Sequence, residues 1–111
     1  MVCEAAAGRR AERWGGRLFL MPPLYISDGD PEGAGCRDEC VYCPWRRGNV
    51  PRQDLRRLSY DEIAAEAAVL IGRGYRDIEL VAATDPLLMR AKHAADCVAA
   101  TKRAGARNVG I

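Results

Sequence analysis

The sequence predicts an α/β chain of about three parallel strands with intervening helices. Three observations carry that expectation. "GYRDIEL" begins at Gly74 and "GARNVGI" at Gly105, 31 residues later. Each is a glycine helix-stop, an arginine, a short polar residue and then a strand, and the interval suits a βαβ unit. "DIELVAA" (77–83) is a short, largely apolar run, as expected of a strand buried on both faces. "SYDE" at 59–62 fits a capping box, with Ser59 capping the first turn and Glu62 reaching back. The third strand starts where the sequence ends, whereas a barrel of six or eight units needs about 200 residues. The expectation is therefore an incomplete barrel or a small open α/β piece.

Residues 1–16 are rich in Ala, Arg and Gly and carry no clear period, so a disordered lead-in is expected there, with the domain spanning 17–111. "RLFLMPPLYIS" (17–27) reads as extended. Pro22 and Pro23 restrict the strand to 24–27, because proline donates no ladder hydrogen bond. Period two puts Tyr25 and Ser27 on one face, Leu24 and Ile26 on the other. "DGDPEGAG" (28–35) is a loop by composition. After the basic stretch "PWRRGNVPRQDLRR", Ile63, Ala67, Leu70 and Ile71 recur at helical spacing until Gly72 and Gly74 stop the helix. "TDP" breaks the strand that follows. Leu88, Ala91, Ala95, Val98 and Lys102 then mark a second helix, ended by Gly105 before "NVGI".

Lys and Arg number 17 against 15 acidic residues, a net charge of +2, too small to point to nucleic acid or an anionic membrane. The longest apolar run, "LFLMPPLYI", is interrupted by two prolines and far short of a span, and the start lacks the apolar region of a secretory signal. A soluble, cytoplasmic protein is expected.

Five cysteines are an odd number, and Cys36, Cys40 and Cys43 crowd into "CRDECVYC". A disulfide framework spreads an even number through a small secreted chain. Cys97, inside a helical pattern, reads as a small buried apolar residue. Three readings of the cluster compete. Free thiols in a loop leave nothing that needs three of them. Structural zinc needs a fourth ligand, for which Cys3, His93 and Cys97 are the candidates, and the C-x3-C spacing is unusual for it. An iron–sulfur cluster held by three thiolates leaves one iron open to a non-protein ligand.

C-x3-C-x2-C with Tyr42 just before the last cysteine resembles the signature of the radical S-adenosylmethionine (radical SAM) superfamily. It lies after a first strand and before the first long helix, as in that superfamily. Over residues 22–86, "PPLYIS…CRDECVYCPWRRGN…RLSYDEIAAEAAVLIGRGYRDIELVAATDP" is similar to the biotin-synthase and thiamine-associated branch. The likeness is greatest to the 2-iminoacetate synthase (tyrosine lyase) and tryptophan lyase types. The deazaflavin-cofactor synthase type, with a "CRDxCxYC"-like cluster, is the runner-up. A non-catalytic zinc or iron–sulfur module is the alternative from another class.

The resemblance implies the N-terminal part of a radical SAM (β/α) barrel. It implies a 4Fe–4S cluster on Cys36, Cys40 and Cys43, with S-adenosylmethionine (SAM) chelating the open iron. Reductive cleavage of SAM then starts hydrogen abstraction from a small substrate, an aromatic amino acid in the lyase types. The backbone around Tyr42 contacts adenine in such families. "ATDP" stands where relatives carry "GGE"- or "TGE"-like residues for the SAM amino group, which points to Thr84 and Asp85. Helix capping is the structural alternative for that pair. Tyr25 and Ser27 either face the substrate or pack. Trp45 shields the cluster or packs the loop. The arginines at 46, 47, 52, 56 and 57 read as a solvated loop or a dock for an acidic reductant such as flavodoxin or ferredoxin. A second chain that completes the barrel is a further expected partner.

Overall fold

The computed structural model of the protein describes residues 2–17, 19–33 and 35–111. Its elements, in chain order, are helix α1 (Val2–Trp14), strand β1 (Pro23–Ser27), a single 3-10 turn (Arg52–Asp54), helix α2 (Tyr60–Gly72), strand β2 (Asp77–Ala82), helix α3 (Ala91–Arg103) and strand β3 (Asn108–Gly110). The strands form one sheet in the order β1-β2-β3, both pairs parallel. Leu24 stands opposite Leu80, and Ile78 opposite Val109. Helices α2 and α3 supply the two crossovers, as parallel pairing requires.

The capping box at the start of α2 is complete. Ser59 Oγ accepts from the Glu62 N–H at 3.3 Å, and the Glu62 carboxylate accepts from the Ser59 N–H at 2.8 Å. Gly74 and Gly105 take positive φ (96° and 108°) where the chain leaves each helix, a conformation that glycine adopts without a Cβ penalty. Between sheet and helices lies one core: Leu24, Ile26, Ile63, Ala67, Ile78, Leu80, Leu88, Cys97, Ala100 and Ala106. No helix among the described residues is long and apolar enough to cross a membrane.

Four expectations need correction. The disordered lead-in over 1–16 contains a 13-residue helix, although none of its side chains is buried. Its alanines favour a helix, and Glu4 near the start and Arg13 near the end complement the helix dipole. Strand β1 begins at Pro23, at the first position, where proline is tolerated. Tyr25 and Ser27 do not share a burial class: the register shifts between them, and Ser27 turns into the interior while Tyr25 stays 52% exposed. Finally, α3 buries Cys97, Ala100 and Thr101, whereas Ala91 and Ala95 face solvent. Leu88, from which the expected stripe is counted, lies in the turn before α3, so that stripe falls on the wrong face of the helix.

Candidate functional site

The C-terminal ends of β1 and β2 meet the cysteine loop at a cavity of about 310 Å³, walled by Tyr25, Cys36, Tyr42, Cys43, Trp45 and Ala83 among others. Its surface is largely apolar, with three aromatic rings. Tyr25 and Trp45 stack at 5.6 Å with their planes 21° apart, so Trp45 packs the loop onto β1. This end of a barrel strand is where sites form in such folds.

Cys36 is nearly buried, at 6% exposure. Its Sγ accepts two backbone N–H groups, from Asp38 and from Thr84, each at 3.4 Å. The Thr84 carbonyl accepts the Arg37 N–H at 3.2 Å, and the Thr84 hydroxyl bonds the Asp38 carboxylate. The loop thus returns to the end of β2 by three bonds, all to Thr84. Gly29 permits that approach. A Cβ there would lie 2.3 Å from the Cys36 nitrogen, and its φ is +114°.

Beyond Cys36 the loop is shallow. No residue from 37 to 50 is buried, and the order comes from turns such as Cys43 N–H to Cys40 O at 3.0 Å. Tyr42 is 87% exposed, and the Cys40 thiol beside it pushes its phenol above the ordinary value. All five cysteines are free. Among the described residues no three His, Cys, Asp or Glu side chains are gathered as metal ligands. The donor chemistry nevertheless suits a thiolate-held cluster. Three unpaired thiols share one loop, two of them wall one cavity, and the sulfur of Cys36 receives the backbone hydrogen bonds that thiolate ligands take.

The remaining ligand candidates lie elsewhere. His93 Nδ1 is 2.6 Å from the Tyr60 hydroxyl, and Cys97 sits in the core, where burial pushes its thiol up. Neither lines the cavity, so the zinc reading gains no fourth ligand from α3.

Asp85 departs from the expectation that it offers a carboxylate to SAM. It is 0% exposed, and both oxygens are occupied. Arg57 grips them at 2.6 and 2.7 Å, Ser27 Oγ donates at 2.7 Å and the Leu87 N–H at 2.9 Å. The Leu87 bond holds the turn after β2; it is not the helix cap weighed above, because α3 begins only at Ala91, with Arg90 as its N-cap. Burial opposes the charge on Asp85, but the bonds from Arg57, Ser27 and Leu87 outweigh it and hold the carboxyl below its ordinary 3.8.

Arg57 is the functional-site residue that sequence reasoning placed wrongly. Its side chain is 24% exposed, paired with Asp85 and 3.5 Å from Asp30. The segment carrying it runs antiparallel beside β1, with an Arg57–Ser27 bridge and a Leu58 N–H to Ile26 O bond of 2.9 Å. Within a run of arginines no local signal separates the half-buried Arg57 from its solvated neighbours. Arg52 stays exposed, its guanidinium folded back to donate to the carbonyls of Pro31 and Glu32.

No family model matches the chain, and no curated protein matches it. Among solved structures it is similar to a crystal structure of HydG, a maturase of the [FeFe]-hydrogenase, at 24% identity and TM-score 0.71 over 87% of this chain. It is also similar to the X-ray structure of the FeFe-hydrogenase maturase HydG from Carboxydothermus hydrogenoformans, at 27% identity and TM-score 0.74 over 94% of this chain. The chain spans 20% and 23% of the length of those two proteins. The architecture is that of part of a radical SAM (β/α) barrel, with three parallel strands and their helices. The likeness supports, at that coarse level, the resemblance to the radical SAM superfamily.

Proposed function

We propose that this chain is part of a radical SAM enzyme in which Cys36, Cys40 and Cys43 hold a 4Fe–4S cluster and the adjoining cavity receives SAM. The observation that carries the reading is the placement of Cys36 and Cys43 in one aromatic-walled cavity at the C-terminal ends of β1 and β2. When bound, the cluster and SAM supply the one-electron reductive chemistry that starts hydrogen abstraction from a substrate.

The chain's own residues bind and orient. Cys36 is the preset ligand, because its sulfur already sits under two N–H donors. Cys40 and Cys43 lie on a loop held by turns, so drawing their sulfurs inward sacrifices no core contact. The backbone at Tyr42 meets the adenine, and Thr84, adjoining Ala83 of the wall, meets the SAM amino group. Asp85 acts from behind Thr84, holding the turn rather than the ligand. Tyr25, half exposed at the cavity wall, faces the substrate side, and the likeness to the lyase types makes an aromatic amino acid the substrate. Ser27, buried with its hydroxyl on Asp85, supports that wall from behind. A flavodoxin or ferredoxin supplies the electron in the cytoplasm, and further strands, from a longer chain or a second one, complete the barrel.

Anaerobic reconstitution with iron and sulfide, followed by electron paramagnetic resonance of the dithionite-reduced protein, tests this reading. A reduced 4Fe–4S signal that changes shape on adding SAM is expected, and its loss in Cys40→Ala. Retention of one zinc and no iron would replace the enzyme with a structural module. A cluster indifferent to SAM would reduce the chain to an iron–sulfur module.

A further inference from the structure

We infer that Arg57 is a positioning residue for Cys36: its two-pronged hold on Asp85 fixes the turn after β2 so that the Thr84 N–H stays on the Cys36 sulfur. The consequence for a bound cluster rests on the function proposed above; the hold on Cys36 does not.

The chain of contacts is short. Segment 56–58 is fixed to β1 by the Asp28 N–H to Arg56 O bond (2.8 Å) and the Leu58 N–H to Ile26 O bond (2.9 Å). That places Arg57 opposite Ser27, and both reach Asp85 Oδ2, at 2.6 and 2.7 Å. The second prong, to Oδ1 at 2.7 Å, removes the freedom of the carboxylate to rotate. The Asp85 backbone is thereby fixed; the peptide before it carries the Thr84 carbonyl that accepts the Arg37 N–H, and the next peptide back carries the Thr84 N–H on Cys36 Sγ. Lysine cannot reproduce this, because one ammonium does not match two oxygens in a plane.

The test compares the wild-type chain with R57Q and R57K under native, cluster-free conditions. Amide hydrogen exchange is followed at Thr84 and at Ala83, whose N–H donates to Ser27 O in the sheet. Alkylation is followed at Cys36 relative to Cys40 and Cys43 by mass spectrometry. In R57Q, Thr84 exchange and the Cys36 fraction each rise about fivefold, the factor that one hydrogen bond is worth. Ala83 and Cys97 stay as they were, and R57K falls between. A residue that only stabilises the fold would move Ala83 and Cys97 as well, and that result overturns the inference. So does free exchange of Thr84 in the wild-type protein, or an unchanged Cys36 fraction in folded R57Q. If R57Q does not fold, wild-type Thr84 and the R57K ratio give the decision.

After reconstitution, loss of the N–H···S bond shifts the cluster potential of R57K to more negative values. A chain that loads no iron sinks the proposed function alone, because the exchange and alkylation results stand without it.

Discussion

Asp85 takes its surroundings from residues far from it in the chain: Arg57 and Ser27 occupy a carboxylate that is fully buried. The sequence marks a polar residue at the end of a barrel strand, the place where sites form. Its partners appear only in the tertiary structure, where they fill both carboxylate oxygens. Its folded-state value lies below the ordinary 3.8, through Arg57, Ser27 and Leu87 prevailing over burial. A depressed carboxylate contributes stability that is present above its unfolded value and lost as pH falls through the folded one. The urea midpoint of the wild-type chain should therefore drop below about pH 4, and Asp85→Asn should flatten that drop while lowering the midpoint at neutral pH. Removing the partner in Arg57→Ala should destabilise by about 3 kcal/mol, near the low end for a broken buried pair, since part of Arg57 stays in water. Equal acid sensitivity in wild-type and Asp85→Asn would show that another carboxylate governs it.

At the scale of elements, α2 was legible and α3 only half so. The stripe Ile63, Ala67, Leu70 and Ile71 is the inward stripe of α2, because bulky aliphatics at helical spacing have one place to go. In α3 the inward residues are Cys97, Ala100 and Thr101, and a stripe counted from Leu88, which precedes the helix, falls out of phase with them. Ala100 is fully buried and Ala95 is exposed. Ala95→Lys should change stability by less than about 0.5 kcal/mol, as a surface substitution does. Ala100→Leu should cost about 2 kcal/mol by overpacking against the sheet. Urea denaturation followed by circular dichroism measures both, and the reverse order would restore the stripe that periodicity suggested. The cysteine loop is an element of another kind: its spacing was plain in the sequence, but its tie to β2 through Thr84 is a contact between residues 48 positions apart.

Across the whole molecule, the core lies between the sheet and α2 and α3, and no described residue of α1 belongs to it. A variant lacking residues 1–14 should keep its urea midpoint within about 0.5 kcal/mol of the parent. A larger loss would mean that α1 docks against the core in solution. The cavity stands at the opposite end of the strands from their N-termini, so it draws on β1, the cysteine loop and β2 at once. No single stretch of sequence contains it.

The sequence by itself determined the α/β class, the order of strands and helices after residue 17, and the three cysteines of one loop. Those features are local: periods, caps, glycine stops and spacings act within a dozen residues. The burial of Ser27, the inward face of α3, the capture of Asp85 by Arg57 and the hydrogen bonds on Cys36 were decided only by the tertiary structure. Each depends on which surfaces meet when parallel strands pair across a helical crossover, and no local pattern records the partner that a side chain finds there.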